Sequence, residues 1–67
     1  MIWLKFYDGI NERGVMLLAS RCEFFERKEG LTVECGGDAF LIPALTLERL
    51  AERMRQLDLA HVAILEL

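Results

Sequence analysis

The feature that most constrains the fold is the glycine pair Gly36-Gly37, which lies between two short runs of alternating apolar residues. A two-residue hairpin loop needs positive φ at both central positions, and glycine adopts that backbone conformation without steric cost. The pair therefore predicts a β-hairpin that joins Leu31–Cys35 to Asp38–Ile42, and Pro43 ends the second strand. In this register the apolar residues of both strands fall on one face, and they are Leu31, Val33, Phe40 and Ile42.

Two further strands are predicted near the ends of the chain, over residues 2–7 and 61–66. In the first of these, apolar residues alternate with Trp3, Lys5 and Tyr7, which is typical of a half-buried strand. The residues of these two strands that we expect to complete the core are Ile2, Leu4, Phe6, Val62 and Ile64.

A helix is predicted to follow Thr46, which is a favourable N-cap residue. Apolar residues recur after it at helical spacing as far as Leu57, and charged residues cover the other face.

Residues 11–29 are ambiguous between a helix and a strand. Asn11 as N-cap, Gly30 as C-terminal cap and an apolar stripe of helical period from Val15 to Phe25 favour a helix. The alternative is one long strand, Val15–Arg27, that turns at Glu29-Gly30. That strand would have about 13 residues, where strands usually have about 5–6. We therefore predict the helix.

The resulting order is strand, helix, strand, strand, helix, strand. Sixty-seven residues allow one small domain, so the prediction is a single α+β domain over residues 1–67. This order predicts a ferredoxin-like βαββαβ topology, with two helices on one face of a four-stranded antiparallel sheet.

The chain has more apolar residues than a small core can hold. Hydrophobic residues make up 54% of the sequence even without its glycines, where soluble domains reach roughly 45–50% with glycine counted. A domain of this size buries only about 60% of the surface of its unfolded chain. The open face of the predicted sheet is where the excess would lie, and we expect it to contact a second copy or a protein partner. The predicted interface residues are Trp3, Lys5, Tyr7, Glu34, Leu41, Ala63 and Leu65.

The net charge of −3 argues against nucleic-acid binding through a basic surface. The aromatic side chains of Trp3 and Tyr7 keep a single-stranded nucleic-acid binder as the least favoured alternative. The uncharged runs are shorter than the ~20 residues of a membrane span, and no signal peptide is visible. We therefore expect a cytoplasmic protein that does not contact membranes and whose two cysteines are reduced.

The residues with the most reactive side chains are Cys22, Cys35 and His61. Two isolated cysteines and one histidine lack the closely spaced pairs of a metal site, so we expect neither a metal nor a cofactor. A nucleophile and its base must lie within hydrogen-bond reach, and the predicted sheet places Cys35 and His61 on opposite faces. We therefore expect no enzymatic activity.

These observations predict a non-enzymatic protein-interaction module that dimerises or docks by its open sheet face. A small acidic chain of this kind suits an accessory or inhibitory subunit of a larger complex, by analogy with small phage-encoded inhibitors. The alternative function is a small-ligand sensor that binds its ligand at a dimer interface.

Overall fold

The computed structural model describes residues 1–57 and 63–67. Six strands lie within these residues: β1 (Ile2–Asp8), β2 (Arg13–Leu18), β3 (Cys22–Glu26), β4 (Gly30–Cys35), β5 (Asp38–Pro43) and β6 (Ala63–Glu66). One α-helix, α1 (Leu47–Arg55), precedes β6, and a 3-10 turn (Ala19–Arg21) separates β2 from β3.

The strands form two three-stranded sheets. In the first sheet β1 lies in the centre, antiparallel to β2 and parallel to β6. The second sheet is an antiparallel meander in the order β3-β4-β5. Both sheets contribute to one core, where the rings of Phe6 and Phe40 meet edge to face with centroids 6.1 Å apart. The buried apolar residues are Leu4, Phe6, Leu31, Val33, Phe40, Ile42, Leu50 and Leu65.

The predicted ferredoxin-like fold is wrong. It requires one four-stranded antiparallel sheet and two helices, whereas the described residues form two separate three-stranded sheets and one helix. The segment predicted as the first helix instead supplies one strand to each sheet. The pairing of β6 with β1 is also parallel rather than antiparallel.

The error over residues 11–29 has a physical cause. The apolar stripe that fits a helix also fits a strand, because Val15 and Leu17 pack against the core while Met16 and Leu18 occupy the other face. Pairing with β1 then overrides the helix propensity of this segment. Asn11 does not cap a helix either, since its side chain donates a hydrogen bond to Asp8. The alternative of one long strand, Val15–Arg27, is closer to the structure, but the 3-10 turn divides this segment into β2 and β3.

The hairpin prediction is confirmed in register. Cys35 pairs with Asp38, Val33 with Phe40 and Leu31 with Ile42. Both glycines of the turn have positive φ, +58° for Gly36 and +88° for Gly37, as a two-residue turn of this kind requires.

The N-terminus of the second predicted helix is confirmed at Thr46, whose hydroxyl accepts a hydrogen bond from the Arg49 amide at 3.1 Å. The Glu26 carboxylate, at the end of β3, accepts another from the Leu47 amide at 2.9 Å. An anion at this end of a helix is stabilising, because the first amides lack partners within the helix.

The prediction of which residues of the last strand face the core is inverted. Leu65 is only 3% exposed and lies in the core, whereas Ile64 is 56% exposed. The parallel register explains the inversion, because it places Leu65 beside the buried Leu4 and Ile64 beside Trp3. A shift of one position exchanges the two faces of a strand. The other predicted core residue of this strand, Val62, lies outside the described residues.

Candidate functional site

The outer face of the first sheet exposes large apolar side chains. Three rows of strand partners cross it: Leu18, Trp3 and Ile64; then Met16, Lys5 and Glu66; then Gly14 and Tyr7. Tyr7 is 53% exposed, Met16 51% and Ile64 56%. We call this surface the apolar face, and its side chains are Trp3, Lys5, Tyr7, Met16, Leu18, Ile64 and Glu66.

The described charges of the apolar face balance one another. The Lys5 ammonium lies 3.5 Å from the Glu66 carboxylate, and both side chains are largely exposed. An exposed pair of this kind contributes little to stability, about 0–1 kcal/mol. Its effect is to give the middle of the apolar face one positive and one negative group and no excess charge.

An open groove of about 820 Å³ runs over the apolar face. Lys5, Tyr7, Met16, Ile64 and Glu66 are among the residues that line it. Binding sites for small molecules are usually about 300–1,000 Å³ but enclose most of their ligand. A groove of this size on an open sheet is better suited to side chains of another protein surface than to full enclosure of a small molecule.

The structure brings together only part of the predicted interface. Trp3, Lys5 and Tyr7 lie side by side on the outer side of β1. Glu34 and Leu41 lie on the outer face of the other sheet, in β4 and β5.

Two further predicted interface residues, Ala63 and Leu65, do not lie on the apolar face. The expectation that Leu65 is exposed is wrong, because it is part of the core. Ala63 is half-buried and pairs with Ile2, on the same side of the sheet as Leu65.

Sequence reasoning missed four members of the apolar face. The sequence pattern predicts Met16 and Leu18 in a helix and Ile64 in the core, and it predicts no role for Glu66. A signal for the first two was present, because residues 15–18 are apolar at both odd and even positions. A strand with that pattern has apolar residues on both faces.

Asp8 connects the two sheets and is fully buried. Its carboxylate accepts hydrogen bonds from the Ile10 amide at 2.9 Å, from the Leu41 amide at 3.1 Å and from the Asn11 side chain at 3.1 Å. Burial by itself raises the pKa of Asp8, but these hydrogen bonds outweigh burial and hold the pKa below its ordinary value of 3.8. The neighbouring Gly9 amide also donates to the Leu41 carbonyl at 2.8 Å. This arrangement joins the end of β1 to β5 and is structural.

Cys22 and Cys35 are directly opposite each other on β3 and β4. Both are free thiols and both are half-buried. Burial, together with the neighbouring Cys35 thiol, raises the pKa of Cys22 from 9.0 to about 11. Cys22 is therefore protonated at neutral pH, which makes it a poor nucleophile. The histidine considered with Cys35, His61, lies outside the described residues.

Comparisons of the chain with known protein families, with curated proteins and with solved structures gave no match. Within residues 1–57 and 63–67, no group of three or more histidine, cysteine or acidic side chains is placed to hold a metal ion. In the same part of the chain, the one helix is too short to cross a membrane.

Proposed function

We propose that the protein is a non-enzymatic interaction module that self-associates through its apolar face. The observation that carries the proposal is the group of half-exposed apolar side chains on one sheet, with Tyr7, Met16 and Ile64 each more than half exposed. Exposed apolar patches on small domains usually mark contact surfaces, because leaving them in water is unfavourable.

The choice of a second copy as the occupant rests on charge. The net charge of the whole chain is −3, so a basic partner would bind an acidic part of the surface. The apolar face instead carries one described cation and one anion, Lys5 and Glu66. In a two-fold symmetric contact the same patch meets itself. Lys5 of each copy can then lie against Glu66 of the other, while the apolar rows cover one another.

The experiment is sedimentation equilibrium over a wide range of protein concentration. We expect wild type to reach twice the 7.7 kDa of one chain. Ile64→Lys places a charge in the apolar face, and we expect it to remain a folded monomer. The matched control is Ala39→Lys, which adds the same charge at an exposed position of the other sheet, and it should still dimerise.

Two outcomes would contradict the proposal. One is a wild-type monomer at every concentration, which would mean that the apolar face contacts a different protein or remains open. The other is an Ile64→Lys variant that dimerises as well as wild type, which would place the dimer contact on another surface. Circular dichroism of both variants confirms that loss of association is not loss of folding.

The volume of the groove over the apolar face supports a second candidate function, which is partial burial of a small apolar ligand. Its volume of about 820 Å³ is large enough for one. The fluorescent apolar probe anilinonaphthalene sulfonate tests this function. Fluorescence enhancement that competes with dimerisation and is lost in Ile64→Lys would support the ligand site, and no enhancement would exclude it.

The accessory or inhibitory role and the cytoplasmic location stay predictions from the sequence. Both are compatible with a small self-associating module, and neither is needed for the experiment above.

A further inference from the structure

We propose that Cys22 and Cys35 are a redox-active pair that forms a reversible disulfide between β3 and β4 when the protein meets a small-molecule disulfide. The proposal is independent of the apolar face, because these residues lie in the other sheet. It rests on the register of one hairpin and on the position of both half-buried cysteines at the edge of the core.

The register of the β3–β4 hairpin fixes the type of pairing at the cysteines. Arg27 and Gly30 close the hairpin and exchange both backbone hydrogen bonds, at 2.8 and 3.3 Å. Hydrogen-bonded and non-hydrogen-bonded pairs alternate along an antiparallel ladder. Cys22 and Cys35 are the fifth pair after the hydrogen-bonded Arg27–Gly30 pair, so they form a non-hydrogen-bonded pair. The backbone groups of Cys35 point to the other neighbour, Asp38, which is consistent with the register of the next hairpin.

The geometry of such a pair suits a disulfide. Residues opposite each other in a non-hydrogen-bonded pair have Cα atoms about 4.5 Å apart, and their side chains are closer than in the alternate pair. Disulfides need Cα atoms about 4.4–6.8 Å apart. The two side chains lie on the same side of the sheet, at the edge of the core. The cross-link therefore requires rotation of the side chains and little movement of the backbone.

Neither cysteine is enclosed by the core, because each residue is only half-buried. The Cys22 Sγ atom donates a hydrogen bond to the Leu18 carbonyl at 3.4 Å. The Cys35 thiol is close enough to disfavour the thiolate of Cys22.

The reaction balances with a small disulfide such as oxidised glutathione as the oxidant. The Cys35 thiolate attacks a sulfur of the small disulfide first, because Cys22 is the poorer nucleophile; it forms a mixed disulfide and releases the first small thiolate. The Cys22 thiolate then attacks the Cys35 sulfur of that mixed disulfide within the same chain and releases the second small thiolate. The two protons from the cysteines end on the two released thiols. The protein loses two electrons and the small disulfide gains them.

The test is oxidation of purified wild type with excess oxidised glutathione in mildly alkaline buffer, followed by acid quench and mass spectrometry. We expect a single chain that has lost two hydrogen atoms, has no free thiol and regains both thiols with dithiothreitol. Closing a loop of about 14 residues should raise the melting temperature by roughly 10 °C or more. Proteolytic mapping should place the cross-link between Cys22 and Cys35.

The matched controls are Cys22→Ser and Cys35→Ser. Cys22→Ser should take up one glutathione at Cys35 as a stable mixed disulfide, whereas Cys35→Ser should react more slowly, because burial raises the pKa of Cys22. Neither variant should gain the thermal stability. A wild-type protein that carries two glutathione adducts, that forms only covalent dimers, or that keeps two free thiols would overturn the proposal. The wild-type mass decides the outcome even where a serine variant does not fold.

Discussion

The two sheets contribute similar side chains to the core but differ on their outer faces. The outer face of the first sheet carries Trp3, Tyr7, Met16 and Ile64, with one balanced ion pair. The outer rows of the second sheet are Phe25, Thr32 and Leu41, and Glu23, Glu34 and Ala39. The Arg27 guanidinium covers the ring of Phe25 at 5.5 Å from its centroid. The second sheet thus covers its exposed aromatic ring within the chain, whereas the first leaves its apolar side chains in water.

This difference shows where the surplus of apolar residues goes. An average over the whole chain cannot distinguish a protein that is apolar on every surface from one that is apolar on one surface. Among the described strands, large exposed apolar side chains occur only in the first sheet, where they are Tyr7, Met16 and Ile64; the other exposed ones, Met1, Ile10 and Leu47, lie outside the strands. A concentrated patch is more informative about function than a high average, because scattered apolar residues are normal on protein surfaces.

A charged substitution in the shared core should unfold both sheets together. Leu50 is 3% exposed and belongs to the core that both sheets enclose. Leu50→Asp buries an unpaired charge, and we expect it to cost more than about 4 kcal/mol, most of the stability of a small domain. The measurement is a thermal melt by circular dichroism.

The control for this change is Ala51→Asp, which introduces the same residue at the adjacent, exposed helix position. It should keep a cooperative melt close to that of wild type. If Leu50→Asp melts like the control, Leu50 does not belong to the core.

Substitution of glycine by alanine should destabilise the second sheet but not the first. Gly30 begins β4 at φ +152°, and a Cβ there would overlap the Ile42 carbonyl oxygen and come within 2.7 Å of the Ala44 nitrogen. Gly14 in β2 has open space at the same position. We expect Gly30→Ala to destabilise by about 2–4 kcal/mol. Gly14→Ala should lie within about 1 kcal/mol of wild type, on the stabilising side.

Urea denaturation measures both glycine variants. Equal destabilisation by the two substitutions would show that the close approach at Gly30 does not constrain the second sheet.

The Asp8 carboxylate, which joins the two sheets, should make the folding stability fall at acid pH. The folded-state pKa of Asp8 is lower than its ordinary value of 3.8. The unfolded chain therefore binds the proton more readily, so this contribution is complete well above pH 3.8 and is lost as the pH falls below it. Asp8→Asn should remove that dependence and cost about 1–2 kcal/mol at neutral pH, because the new amide group faces the Asn11 donor.

The measurement is urea denaturation between neutral pH and the acid range. Asp38→Asn, at an exposed turn position, keeps the Asp8 hydrogen bonds and should keep the acid dependence. An Asp8→Asn variant with the same slope as wild type would mean that another group causes the loss of stability in acid.

The smallest expected effect concerns the acidic side of the second sheet. Glu23 and Glu34 are directly opposite each other on neighbouring strands, and like charges in such pairs are destabilising. Glu34→Lys turns repulsion into attraction and should stabilise by about 0.2–1 kcal/mol. Glu34→Gln, which removes repulsion only, should give part of this gain. Added salt should reduce both effects, and a gain that does not respond to salt would have a different cause.

Sequence reasoning succeeded where local chemistry decides the structure. The turn at Gly36-Gly37 needs positive φ at two adjacent positions, and the N-cap at Thr46 needs one hydroxyl near one amide. Both depend on a few neighbouring residues. The alternation in β1 also depends on local pattern alone, and it correctly separates Leu4 and Phe6 from Lys5 and Tyr7.

Sequence reasoning failed where distant pairing decides the structure. Residues 13–26 have helical propensity, and only contact with β1 and β4 makes them strands. The orientation of Leu65 depends on a parallel register with Leu4 that no local signal specifies. The Cys22–Cys35 pair was missed for the same reason, because a helix in place of β3 separates the two residues.

The position of β6 beside β1 has a consequence for the order in which the protein folds. The hairpins of the second sheet join residues that are close in the chain, whereas Ile2 and Ala63 are about 60 positions apart, and pairings between distant segments form slowly. We expect the β3-β4-β5 meander to be structured first and the β1–β6 ladder last. Until that last step the backbone edge of β1 is free, and an unpaired edge invites strands from other chains. Pairing of β6 replaces the seven-residue edge of β1 with the four-residue edge of β6, and a short edge strand pairs less readily with other chains. We therefore expect the protein to be most prone to aggregate before β6 pairs with β1.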